Sequence, residues 1–169
     1  MRIILAILFI TLSGCTATYK QNILSAPTTK AIKGKTVIIA TPHNGAYNGK
    51  EYISSGKMTA LATKAAFAKF TNIIKISSNC SELACLQKLQ STEYDYYVVP
   101  EILHWEDRAT EWSGIPDKVE IKISIYEGPE SEELSSTIIS GKSKWATFGG
   151  DHPQDLIEKP LNEYVQSLY

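Results

Sequence analysis

Residues 118–127 read KVEIKISIYE, and their alternation decides the fold class. Val119, Ile121, Ile123 and Ile125 fall on one side of an extended chain, and Glu120, Lys122, Ser124 and Tyr126 on the other. Successive side chains of a strand point to opposite faces, so this period of two predicts a sheet with one buried and one wetted face. Just downstream, Gly128 and Pro129 sit among acidic residues and form a turn. Ser135 to Trp145 then supplies a second strand, a hairpin partner of the first. Upstream, Tyr94 to Trp105 is another strand, in which Pro100 requires an edge or a bulge because proline cannot donate to a ladder.

Further out, Lys35 to Thr41 (KTVIIAT) is a β-branched run closed by Pro42, consistent with a buried strand, and Ile73 to Ile76 is a second short one. His43 to Gly49 is a turn-rich loop. A helix is predicted over Met58 to Phe70, with Ser54 or Ser55 as N-cap. Its buried stripe is Met58, Leu61, Ala62, Ala65 and Ala68, widened by Phe67 and Phe70. Glu82 to Gln90 is a second helix, with Leu83, Leu86 and Leu89 at a spacing of three. After Gly149 and Gly150, Asp151 and Gln154 resemble a capping box. The final helix carries Ile157, Leu161, Tyr164, Val165 and Leu168 on one face, with a kink or restart at Pro160. The order is β-α-β-α-β-β-β-α, an α/β (α+β) domain. It is a single mixed sheet, parallel at its first crossovers and antiparallel later, with helices packed on it.

The N-terminus carries an address. Arg2 is followed by the apolar run Ile3 to Leu12 and then Ser13-Gly14-Cys15, the layout of a secretory signal. Ten helical residues rise only about 15 Å, half of a hydrocarbon core of ~30 Å, so this is not a membrane span. Leu12-Ser13-Gly14-Cys15 resembles the bacterial lipobox. That resemblance implies cleavage before Cys15, diacylglycerol on its thiol and a fatty acyl group such as palmitate on the new amine. It divides the chain into a signal peptide (1–14), a lipidated cysteine with a flexible tether (15–33) and one globular periplasmic domain (34–169). Fully extended, the tether would reach roughly 60 Å. Thr16, where aspartate would signal inner-membrane retention, implies an outer-membrane lipoprotein facing the periplasm.

With 17 basic and 18 acidic residues, the charge balance does not suggest nucleic acid as a partner. Nor does a run of Lys or Arg follow Cys15 to suggest anionic lipid headgroups. Lipid on Cys15 leaves Cys80 and Cys85 as a pair, which an oxidising compartment favours as a disulfide. With Ser81 as N-cap, Cys80 is N′ and Cys85 is N4, positions that meet in a hydrophobic staple. A helix starting at Ser78 or Asn79 would put them on different faces. As metal ligands or a redox centre the pair lacks the CxxC spacing and a second ligand pair.

Residues 101–117, EILHWEDRATEWSGIPD, concentrate the polar chemistry: His104, Trp105, Glu106, Asp107, Arg108, Glu111 and Trp112 fall within nine residues. His104 and Glu106 share a strand face and could supply two metal ligands, with His43 or His152 as a third. Glu106 and Asp107 point to opposite faces and make a poor acid/base pair. There is no GxSxG, no HExxH and no glycine-rich phosphate loop. No catalytic residue, metal or cofactor is assigned. The run YDYYVVPEILHWEDRATEWSGIPDKVEIKISIYE, with the lipobox and the CxxxxC pair, resembles an uncharacterised family of proteobacterial envelope lipoproteins. The element order is also similar, at the level of fold, to the N-terminal domain of TolB and to the penicillin-binding-protein activator LpoB. The family resemblance brings no activity with it, and the fold-level one favours only an envelope interaction module. The tether, the missing catalytic motifs and the Trp, Arg and charge gathered at residues 104–112 point to a non-enzymatic module that binds an envelope protein partner through that stretch. The alternative is a metal-binding or small-ligand protein, or a hydrolase, with a site built from His43, His104 and Glu106. A third reading is a structural lipoprotein that acts by abundance.

Overall fold

The computed structural model describes residues 17–89, 94–108, 115–128, 132–144 and 151–169. The alternating stretch forms β7 (Lys118–Glu127), paired antiparallel on one side with β6 (Tyr96–Glu106) and on the other with β8 (Glu132–Lys142). Val119, Ile121, Ile123 and Ile125 are buried, as the period requires. Beyond β6 lie β2 (Val37–Ala40) and then β5 (Ile74–Ser77), both joined in parallel. All four residues of β2 are buried, because helices cover the sheet on both faces there. Pro100 sits in β6 beyond Val98, where pairing with β2 ends, so its missing N–H breaks no bond to β2.

The main core lies on the face bearing Ile121. Across it pack α1 (Ser55–Phe67) and α3 (Asp155–Leu168). The short α2 (Leu83–Gln87) closes a smaller core on the opposite face with Ile38, Ala40, Leu86, Tyr94 and Tyr97. The stripe expected on the last helix is the buried one: Ile157, Leu161, Tyr164, Val165 and Leu168 are all in the core, and the helix runs through Pro160. Gly141 of β8 makes this close packing feasible, since a Cβ there would lie 2.7 Å from the Leu156 Cβ.

Three expectations need correction. The segment read as a flexible tether contains β1 (Thr18–Ser25), which pairs antiparallel with β8 from Thr18 opposite Lys142 to Ser25 opposite Ser136. The six-stranded order is therefore β1-β8-β7-β6-β2-β5, and the predicted element order lacked its first strand. What holds β1 is mostly backbone pairing, supplemented by Thr137 Oγ1 donating to the Asn22 carbonyl and Ser135 Oγ to that of Ser25, each at 2.9 Å. Most of its side chains are exposed, so it has no hydrophobic period to read.

The face of α1 is also different. Thr59, Ala60, Thr63, Ala66 and Phe67 are buried, while Met58 and Leu61 are largely exposed. Thr59 and Thr63 donate to the carbonyls of Ser55 and Thr59, four residues back, which satisfies their hydroxyls and lets them pack as small core residues. Ser55 does not cap; its Oγ donates to the Tyr52 carbonyl and accepts from the Gly45 N–H.

The third correction is a second, two-stranded sheet in the turn-rich loop, β3 (Ala46–Tyr47) with β4 (Lys50–Glu51). Asn48 and Gly49 both have positive φ, the conformation a tight hairpin turn demands. Cys80 and Cys85 form a disulfide with their Cα atoms 5.3 Å apart. The N-cap of α2 is Glu82, so Cys80 lies one position further from the helix than a staple would put it.

Candidate functional site

The polar stretch singled out in the sequence ends β6. A bulge between Ile102 and His104 shifts the register, after which Trp105 faces the core and His104 and Glu106 face the other side. Trp105 is buried and Glu106 is fully covered, so neither belongs to an exposed surface. Gly45 lets the β3 loop lie on Trp105, since a Cβ at Gly45 would sit 2.5 Å from the Trp105 Cβ. Glu111 and Trp112 lie outside the described residues, as does Cys15.

Glu106 is the centre of an ion-pair network. One carboxylate oxygen accepts from Arg108, and the other from His104 Nε2 at 3.0 Å and Lys118 Nζ at 3.3 Å. Burial pushes the carboxyl up, but these three hydrogen bonds and the Lys118 charge outweigh it and hold it below the usual range. A carboxylate so neutralised is a structural anion rather than a proton acceptor for chemistry. The network also fixes the outward groups: the Arg108 guanidinium lies 5.0 Å from the centre of the Tyr47 ring, and Tyr47 meets His104 edge-on at 5.2 Å.

Asp107, just past the end of β6, turns toward His152 Nδ1 at 3.3 Å. The buried Asp117 accepts from the Arg108 N–H and lies 3.9 Å from the same His152 nitrogen. Asp107, Asp117 and His152 are the group of three among the described residues whose ligand atoms lie within 4.8 Å of one another, a donor set that oxygen- and nitrogen-seeking cations accept. The trio His43, His104 and Glu106 is not such a group among those residues. His43 instead meets Ser81 Oγ at 3.2 Å beside the disulfide, in a hollow whose carboxylate, Glu51, accepts from Asn44.

The face of the sheet opposite α3 carries Lys20 of β1, Lys118, Glu120 and Lys122 of β7, and Lys142 of β8. Sequence reasoning missed this basic face and the Asp107–His152 contact. Their members are brought together only by strand pairing and by the placement of α3.

Residues 29–168 match the family described as a domain of unknown function, DUF4823. The chain belongs to this family. No curated protein matches it by sequence. Among solved structures, the DUF4823 fold is similar to PelC from Paraburkholderia phytofirmans, solved as a dodecamer. The TM-score is 0.58 at 13% identity, covering 90% of this chain and 91% of that one. Two weaker likenesses are a Xanthomonas campestris protein of the DUF330 family and lipoprotein GNA1162 from Neisseria meningitidis. The first has TM-score 0.48 at 13% identity and covers 85% of this chain and 93% of its own. The second has TM-score 0.41 at 12% identity and covers 63% of this chain and 83% of its own. Among the described residues of this DUF4823 chain, no helix is long and apolar enough to cross a membrane.

Proposed function

We propose that this DUF4823 protein is an outer-membrane lipoprotein, anchored through Cys15, whose domain binds an envelope protein rather than catalysing a reaction. The observation that supports this is the Arg108–Tyr47–His104 cluster. Its outward groups are held in place by a buried carboxylate, so little side-chain freedom is lost when a partner docks. Arginine and tyrosine held this way are characteristic of interface hot spots. The surface of the proposal is therefore His104 and Arg108 with Tyr47. Trp105 and Glu106 act beneath it. The double substitution Arg108→Ala, Tyr47→Ala should leave cooperative unfolding intact and abolish complementation of a deletion strain. A folded double variant that complements fully would exclude this surface.

A second reading takes the partner to be further copies of this chain. It is favoured by β1, which has no strand on its outer side among the described residues and exposes Ile23 and Leu24. PelC, of similar fold, was solved as a dodecamer. Light scattering on the purified domain separates the readings: a single species of one-chain mass removes the second.

A further inference from the structure

Three lysines of the face opposite α3 converge at one end of the sheet. Lys20, Lys118 and Lys142 line a groove of about 560 Å3 whose walls also include Thr18, His104 and Glu120. Lys118 and Lys142 stand directly opposite each other in the β7–β8 register. Like charges in facing positions destabilise a sheet, and an anion between them would relieve that repulsion. Lys118 is partly neutralised by Glu106 at 3.3 Å. Lys20 and Lys142 have no ion-pair partner among the described residues. Glu120 is the carboxylate in the groove wall, and three ammonium groups outnumber it.

The position of the groove says what would fill it. Thr18 is both a groove wall and the first residue of β1, so the chain enters the sheet at the groove itself. Thr16 and Ala17 alone separate Thr18 from Cys15, and three residue steps span at most about 11 Å. Paired strands lie about 4.8 Å apart, which puts Lys118 roughly 10 Å across the sheet from β1. A lipid on Cys15 therefore holds all three lysines close to the bilayer surface, within one or two Debye lengths of about 8 Å.

We propose that this groove rests on the anionic phospholipid headgroups of the leaflet that holds Cys15, with Lys20, Lys118 and Lys142 around the phosphates. The inference rests on the lipid-anchor reading of Cys15. The contact orients the domain, groove toward the bilayer, and sets the Arg108 surface at the membrane's edge. Each basic side chain near an anionic surface contributes about fivefold in affinity.

The test reconstitutes the mature lipoprotein into vesicles of phosphatidylcholine, alone or with about 30 mol % phosphatidylglycerol. Lysines are then acetylated with a water-soluble reagent and quantified by peptide mass spectrometry. Lys20, Lys118 and Lys142 should label at least about fivefold more slowly on the anionic vesicles, with the difference lost at about 0.5 M salt. Lys57 and Lys64, exposed on α1, should be unchanged. The variant Lys20→Glu, Lys142→Glu should float with vesicles as before yet lose protection of Lys118. Equal labelling on both vesicle types, or retained protection in that variant, overturns the docking and leaves the anchor standing. Equal protection by inorganic phosphate on neutral vesicles overturns the headgroup assignment in favour of a soluble anion. Protein that floats with neither vesicle type overturns the anchor, and the docking with it.

Discussion

Replacing Glu106 by glutamine keeps the side-chain volume and removes the charge that Arg108 and Lys118 share and that His104 contacts. Glu106 is 1% exposed, and breaking a buried pair from one side costs about 3–5 kcal/mol. Here the abandoned partners are not themselves buried: Arg108 and Lys118 are 39% and 45% exposed and can turn to water. Screening by solvent lowers the expectation to about 2–3 kcal/mol. For a domain of this size that is a fall in Tm of about 4–12 °C. The loss is also pH-dependent. The Glu106 carboxyl is held below its ordinary value of 4.5 in the folded state, so its contribution is complete above that value. It is lost as pH falls through the folded value, where the glutamine variant has nothing further to lose. Parent and variant should therefore converge on acidification. Urea unfolding followed by tryptophan fluorescence, at neutral pH and at steps below 4.5, measures both effects. A variant within about 0.5 kcal/mol of the parent at neutral pH, or a gap that does not narrow in acid, would refute the network's structural role.

Trp105→Ala should cost about 3–5 kcal/mol by thermal unfolding, because it empties a fully packed core position. Arg108→Ala should cost markedly less, and comparable losses would contradict the burial assigned to Trp105. Gly141→Ala drives a methyl to 2.7 Å from the Leu156 Cβ and should destabilise by about 1–3 kcal/mol in denaturant unfolding. Opening the Cys80–Cys85 loop with Cys80→Ser and Cys85→Ser should remove about 2 kcal/mol, the modest value for so short a loop. The untreated parent should show no free thiol at either position by alkylation. Cys15→Ser should move the protein from the membrane fraction to the soluble one, and retention of the variant by membranes would contradict the anchor.

Much of the fold could be read wherever burial imposes a period. β7 showed a period of two, β2 a continuous apolar run, and α3 a helical stripe of large side chains. Where burial falls on small polar residues the reading went astray. Thr59 and Thr63 look solvent-facing until their hydroxyls are seen to be satisfied within the helix, and so Met58 and Leu61 took their place in the predicted face. β1 was illegible for a different reason, since backbone pairing with β8 does most of the holding and leaves no side-chain pattern. In the site, the shared face of His104 and Glu106 followed from strand geometry alone. The burial of Glu106 did not, because one of its three side-chain partners, Lys118, comes from another strand. The basic groove was beyond any linear reading: Lys20, Lys118 and Lys142 are neighbours only through the β1–β8–β7 pairing.

Whether the His104, Arg108 and Tyr47 surface receives an envelope protein is read by in-cell photo-crosslinking from position 103. Leu103 is 42% exposed beside His104, so an aromatic photoprobe there should not disturb the core. A discrete adduct with one envelope protein is expected, and it should disappear with Arg108→Ala, Tyr47→Ala. An abundant, folded probe protein in the membrane fraction that yields no protein adduct would contradict it.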